Sequence, residues 1–324
     1  MKWRFSANAG FFGARRDRFV QYQPVRTLEE KFGLVAQVEG VTGIELKYPL
    51  DFEKPCALRA LLDRHGLAVS AVNVDLKDVA HFRHGALSAV DPEVRSHAAG
   101  LLQRGMDAAA EFGAGLVTTC PLADGYDYPF QIDYTRAWNN LVGTVKAATS
   151  HRSDVRLALE YQPHEPHAHI LLDNVGKVLH VYAEVEAPNL GVNLDVGHSL
   201  AAGESPAEAA ALLATKGRLF YLHSNDNTGD GGDWDMMSGS VHFWHWLELL
   251  HTLHRVGYEG WIGADIAPKH MGPVEAYDVN FTMVRRMTRV LDRLGWDAVS
   301  EQVQKTGSSA ETYRFLTSFM DSDP

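Results

Sequence analysis

The chain has 324 residues, of which 45% are hydrophobic, a formal net charge of -11, and only Cys56 and Cys120 as cysteines. That length accommodates two ordinary domains or one (β/α)8 barrel, which needs roughly 250 residues, and the apolar share suffices for a large core. The acidic balance argues against a nucleic-acid surface, two cysteines are too few for a disulfide framework, and neither a membrane-spanning run nor a signal-like core at Met1-Lys2-Trp3-Arg4-Phe5 is present, so a cytoplasmic protein is expected.

In chain order, short apolar runs predict strands at residues 4–8, 42–47, 68–74, 115–119, 156–160, 190–195, 218–223 and 260–265. Between them, apolar residues recur at three- and four-residue steps, as in Thr27 to Glu39, Pro92 to Phe112 and Phe243 to Arg255. Gly66, Gly113 and Gly257 stand where helices would stop. Alternating strands and helices imply a parallel sheet with right-handed crossovers, and eight such units imply closure into a single-domain TIM barrel over residues 1–296. No Pro/Gly/Ser-rich linker divides the chain. Residues 297–324 form a tail in which Phe315, Leu316 and Phe319 have helical spacing, expected to pack on the barrel exterior or on a neighbouring subunit.

The second half of the chain carries the chemistry. Glu160, Asp195, His223 and Asp265 close four successive predicted strands, and a parallel barrel gathers its strand C-termini in one mouth. Any one of them alone reads more readily as a helix cap or a solvated acid than as a ligand. Four together would repel or desolvate one another without a counter-ion, which favours a bound cation. His198 follows Asp195 by three residues, and Asp233 and Asp235 follow the glycine-rich Gly229-Asp230-Gly231-Gly232 loop. Carboxylates with imidazoles suit Mn²⁺ first, then Mg²⁺ or Co²⁺, rather than a sulfur-rich structural zinc site.

Beyond the ligands, Ala158-Leu159-Glu160-Tyr161-Gln162-Pro163-His164-Glu165-Pro166-His167, Ile170-Leu171-Leu172 and Gly191-Val192-Asn193-Leu194-Asp195-Val196-Gly197-His198 resemble consecutive blocks of the xylose isomerase-like TIM-barrel superfamily, closest in pattern to xylose isomerase. The resemblance implies two divalent cations. Glu160, Asp195, His223 and Asp265 would hold the first, and Asp195, His198, Asp233 and Asp235 the second, with Asp195 bridging. It implies aldose–ketose isomerisation of a small sugar by a metal-assisted 1,2-hydride shift, in a homodimer or homotetramer. No glycine-rich phosphate cradle follows the last two strands, so an unphosphorylated sugar is expected.

His223 stands where the family's first site usually has a carboxylate, and three further departures bear on the substrate. Gln162 stands where the family has a lysine, Lys47 where it has a ring-opening histidine, and Thr119 where it has a sugar-stacking tryptophan. Lys47, Gln162, His164, Asp233 and Asp235 are the candidate catalytic residues. Phe11, Thr119, Asn193 and Trp234 are the candidate sugar contacts, with Phe12 and Trp244 as further aromatic candidates. Competing readings on the same barrel are a one-metal sugar epimerase, a C-glycoside-cleaving lyase subunit, an AP-endonuclease, disfavoured by charge, and a non-catalytic sugar-binding barrel.

Overall fold

Each apolar run forms a strand of one closed parallel barrel. A computed structural model describes residues 2–16, 20–164, 168–229, 232–267, 269–305 and 307–320. Glu165, Pro166 and His167 of the quoted block, and Asp230 and Gly231 of the glycine-rich loop, lie outside the described residues. The barrel strands are β1 (Arg4–Asn8), β2 (Val41–Tyr48), β3 (Ala68–Val74), β4 (Leu116–Thr119), β5 (Arg156–Glu160), β6 (Leu190–Asp195), β7 (Leu219–Ser224) and β8 (Trp261–Ala264). Each pairs in parallel with its sequence neighbours, and β1 closes the ring by pairing with β8 through Arg4↔Trp261 to Ala7↔Ala264.

Eight helices cover the wall, the first seven as crossovers between successive strands and the eighth after the last: α1 (Leu28–Val35), α2 (Pro55–His65), α3 (Pro92–Glu111), α4 (Tyr134–Thr149), α5 (Val175–Val185), α6 (Pro206–Thr215), α7 (Phe243–Arg255) and α8 (Pro273–Leu294). Their starts follow side-chain chemistry. Thr27 and Glu30 form a capping box at α1, Asp91 accepts from the Glu93 N–H ahead of Pro92 at α3, and Asn174 caps α5. Gly66, Gly113 and Gly257 take φ of 63°, 71° and 68° just past helix ends, a region that costs glycine little. The predicted α1 pattern runs to Glu39, but the helix ends at Val35, where the Gln37 and Val38 N–H groups bond to the Leu34 and Val35 carbonyls in a tighter i→i+3 turn that leads to Gly40 at φ 77°.

The tail consists of two helices, Trp296–Gln304 and Ser309–Thr317, entered through Gly295 at φ 82°. Phe315 and Leu316 pack against the main core, and the Tyr313 ring meets Trp244 of α7 at 5.5 Å, so the tail lies on the barrel exterior of its own chain.

Two buried aspartates shape the mouth. Asp124, in the loop after β4, accepts the N–H groups of Ala86, Leu87 and Ser88 at 3.0, 3.1 and 2.6 Å and the Ser88 hydroxyl at 2.6 Å, while its carbonyl accepts from the Leu171 N–H. One side chain therefore ties the loops after β3 and β4 together, and its backbone adds the loop after β5. Asp124→Ala would strand two buried donors and a part-buried one and is expected to lower stability by about 3 kcal/mol in urea unfolding. A loss below about 0.5 kcal/mol would show that water replaces the carboxylate. Asp226 plays the matching part after β7. It accepts from the N–H groups of Val241 and His242 and from His242 Nδ1, and its backbone pairs with Met236, closing the loop that carries Asp233 and Asp235.

Candidate metal centre

Because β5 to β8 run parallel, their C-terminal ends deliver Glu160, Asp195, His223 and, one residue past β8, Asp265 to one point. One ligand atom from each lies within 4.8 Å of all the others. Nδ1 of His223 lies 3.3 Å from Glu160 Oε2, 3.2 Å from Asp265 Oδ2 and 3.7 Å from Asp195 Oδ2. The opposite nitrogen, Nε2, is 3.0 Å from Glu45 Oε2 of β2. The Asn193 amide N–H donates to Glu160 Oε2 at 2.7 Å and lies 3.0 Å from His223 Nδ1. When the ring is neutral with its proton on Nε2, it donates to Glu45, and the Nδ1 lone pair faces Asn193 and three carboxylates. A carboxylate behind the far nitrogen is the usual support of a metal-binding imidazole.

The donor set fits a divalent cation. Asp265 Oδ1 and His198 Nδ1 are buried without a hydrogen-bond partner among the described residues. Lone pairs in that state are costly unless something electron-poor meets them. All donors are oxygen or imidazole nitrogen, which suits a hard or borderline ion.

The second expected set is adjacent but does not close. His198 Nε2 lies 3.4 Å from Asp233 Oδ2, and Nδ1 lies 3.3 Å from Glu160 Oε1 and 3.7 Å from Asp195 Oδ1. Asp235, held at φ 47°, turns its carboxylate toward Arg15 at 3.8 Å. Among the described residues the other group with ligand atoms within 4.8 Å is Cys120, Glu160 and His198.

The electrostatics show how much negative charge is concentrated here. Burial alone would raise Glu160, but His223 and His198 outweigh it and hold the carboxyl at about 2. Burial lifts Asp195 to about 6, against the pull of His198 and with the repulsion of Glu160, and lifts Asp265 to about 7. Asp235 is pushed well up by burial and by Asp233 and Asp265. Both imidazoles are driven well above their ordinary range despite burial, His198 by Asp195 and Asp233, and His223 by Glu160 and Glu45. Protonated imidazoles thus supply the positive charge that a cation would otherwise bring.

Asp195 also caps the short helix Val196–Ala201, accepting from the His198 N–H at 2.8 Å, while its other oxygen accepts from Asn225 Nδ2 at 2.8 Å. Asn225 in turn accepts from the Gly197 N–H at 2.7 Å. A Cβ at Gly197 would stand 2.9 Å from Asn225 Oδ1, so the close approach requires glycine.

The remaining candidates separate by environment. Gln162 is buried at the mouth, its amide nitrogen 3.5 Å from Asp233 Oδ2 and 3.3 Å from the His164 carbonyl, with the Cys120 sulfur 3.7 Å from its oxygen. His164 is half-buried beside it. Lys47 reaches the mouth but pairs with Asp75. Phe11 lines the same cavity under the Arg15 guanidinium, 4.4 Å from the ring centre, and Trp234 is exposed between Asp233 and Asp235. Thr119 and Asn193, expected as sugar contacts, are fully buried. Thr119 donates its hydroxyl to the Val74 carbonyl and Asn193 braces Glu160 and His223, so both support the wall from within. Phe12 is core against Tyr277, and Trp244 sits outside the barrel under the tail.

Sequence reasoning passed over Glu45, Asn225, Cys120 and Lys77. Glu45 left a signal, a charge inside the apolar run Gly43-Ile44-Glu45-Leu46, and period two puts it on the same face as Lys47. Its two acceptors take Thr118 Oγ1 at 3.2 Å and His223.

The family described as xylose isomerase-like TIM barrel matches residues 32–287. The xylose isomerase of Thermus thermophilus is 28% identical over 204 residues, covering 61% of this chain and 53% of that protein, so the chain spans about half the length of that relative. Among solved structures, a D-tagatose 3-epimerase-like protein superposes with a TM-score of 0.70 at 18% identity, covering 90% of this chain and 99% of that one. An L-ribulose 3-epimerase gives 0.70 at 15% identity, covering 95% and 100%. A xylose isomerase domain protein from Alicyclobacillus acidocaldarius subsp. acidocaldarius gives 0.67 at 16%, covering 89% and 99%. At these identities the structural likeness is one of fold.

Proposed function

The chain belongs to the xylose isomerase-like TIM-barrel family, and on that premise we propose that it is a divalent-metal-dependent isomerase that interconverts an aldose and a ketose of a small sugar. The observation that carries this reading is the convergence of Glu160, Asp195, His223 and Asp265 within 4.8 Å, with His198 and Asp233 adjoining. Glu160, Asp195, His223 and Asp265 would hold one cation. His198, Asp233 and Asp235, sharing Asp195, would hold a second once Asp235 turns from Arg15. A cation there, Mn²⁺ first and Mg²⁺ or Co²⁺ next, supplies Lewis acidity toward adjacent oxygens of a hydroxy-carbonyl compound.

The chain's own groups do the rest. Glu45 and Asn193 fix the His223 ring, and Asn225 fixes Asp195, so the ligand set is preorganised. The Gln162 amide can donate to a substrate oxygen without supplying a full charge, and His164 and Lys47 are the groups proposed to hold or move hydroxyl protons. Phe11 and Trp234 offer apolar faces to the carbon chain.

One observation favours a second reading, 3-epimerisation of a ketose. A single four-residue set closes among the described residues, and two of the solved structures above carry 3-epimerase in their names. Incubation of the metal-loaded protein with neutral, carboxylated and phosphorylated aldoses and ketoses in D₂O separates the two. Isomerisation by hydride shift is expected to give the partner sugar with almost no carbon-bound deuterium. Epimerisation through proton transfer would give an epimeric ketose with deuterium at the inverted carbon. No product from any sugar of the panel would defeat both readings.

A further inference from the structure

The mouth beside the ligand set is lined with cationic side chains, in a chain whose net charge is -11. This cavity, about 660 Å³, includes Glu160 and Asp265 among its walls together with Arg15, Arg26, Lys31, Lys47 and Lys77. Three of the five cations have acidic partners: Arg15 with Asp235 at 3.8 Å, Lys31 with Asp51 at 3.8 Å, and Lys47 with Asp75. The other two differ. Arg26 donates from Nη1 to the Phe12 carbonyl at 3.0 Å and to Gln23 Oε1 at 3.3 Å, and Lys77 is exposed to the cavity. Neither has a carboxylate within ion-pairing distance among the described residues. Glu30, the acid that senses Arg26, is already committed to the Thr27 N–H at 2.7 Å in the α1 capping box.

Once Glu160 and Asp265 are engaged by a cation, the carboxylates left are Asp51, Asp75 and Asp235, the partners of Lys31, Lys47 and Arg15, so five cations face three acids, with Asp75 also acting on Lys77. A neutral sugar calls for balanced donors and acceptors, whereas an excess of two cations in a concave site selects a negative group and draws it in. Resting on the isomerase reading of this centre, we propose that the substrate carries an oxyanion, a carboxylate or a phosphate, seated between Lys77 and Arg26. Its reacting hydroxy-carbonyl end would lie at Glu160 and Asp265, which line the same cavity.

The test uses the full-length, metal-loaded protein with Lys77→Met and Arg26→Gln. Binding of inorganic phosphate and of D-gluconate is measured by calorimetry, and turnover is compared for D-glucose, D-glucuronate and D-glucose 6-phosphate. At least one anion is expected to bind and to bind roughly 10-fold more weakly in each variant, more weakly also as salt rises, because a screened cation–oxyanion contact is being removed. The better of the two anionic sugars is expected to exceed D-glucose in kcat/KM by roughly 100-fold, and which one does so separates carboxylate from phosphate. Anion binding that depends on Lys77 and Arg26 with no sugar turned over would keep the anion pocket and reject the isomerase reading. Turnover of neutral sugars at least as fast, with anion binding absent or indifferent to both substitutions, would overturn the proposal and leave the isomerase reading standing.

Discussion

Replacing Asp195 with asparagine is expected to reduce turnover by about 10³-fold or more and to lower bound metal below that of the wild type, because this residue serves both proposed sites. Asparagine is nearly isosteric, and its oxygen can still cap Val196–Ala201 by accepting the His198 N–H. What it loses is the charge, and its NH₂ would then face the Asn225 NH₂ now donating to Asp195 Oδ2. Two donors in contact disturb Asn225 and, through it, the Gly197 turn. Elemental analysis and kcat, with a melting curve to confirm folding, make the check. A variant with undiminished metal content and kcat would remove Asp195 from the centre. Asp235→Asn serves as the contrast, expected to cost one ion and leave the Glu160, Asp195, His223 and Asp265 set filled.

Metal removal is the second large effect. Chelated protein is expected to be inactive and to melt roughly 5–10 °C lower, since an ion held at 100 to 1,000 times its Kd adds about 3–4 kcal/mol to the folded state. The gap should widen with pH. In the metal-free protein the raised pKa values of His198 and His223 mean that the folded state binds protons more tightly than the unfolded one. That stabilisation is complete below the ordinary histidine pKa and is lost as pH rises through the raised values. The metal, by contrast, competes with those same protons and binds more tightly as they leave. Melting temperatures that coincide with and without excess Mn²⁺ from pH 6 to 9 would count against the centre.

Much of this was readable along the chain. The eight strand cores and the ends of α3 and α7 follow from periodicity and from Asp91-Pro92, Gly113 and Gly257, which act on backbone conformation within a few residues. Glu160, Asp195, His223 and Asp265 were legible because a parallel barrel turns one local property, an acid or imidazole at a strand end, into a shared location. The tertiary structure alone decided what stands behind and beside them. Glu45 meets His223 across 178 residues of chain, Asn193 meets Glu160 across 33, and Lys77 joins Arg26 in one cavity from a different loop. Asn193 and Thr119 belong inside the wall rather than against a sugar, and Asp235 faces Arg15 rather than His198. Local patterning records which face of a strand a residue occupies. Which opposing side chain it meets is set by barrel closure and strand register, and those are fixed by the packing of all eight units together.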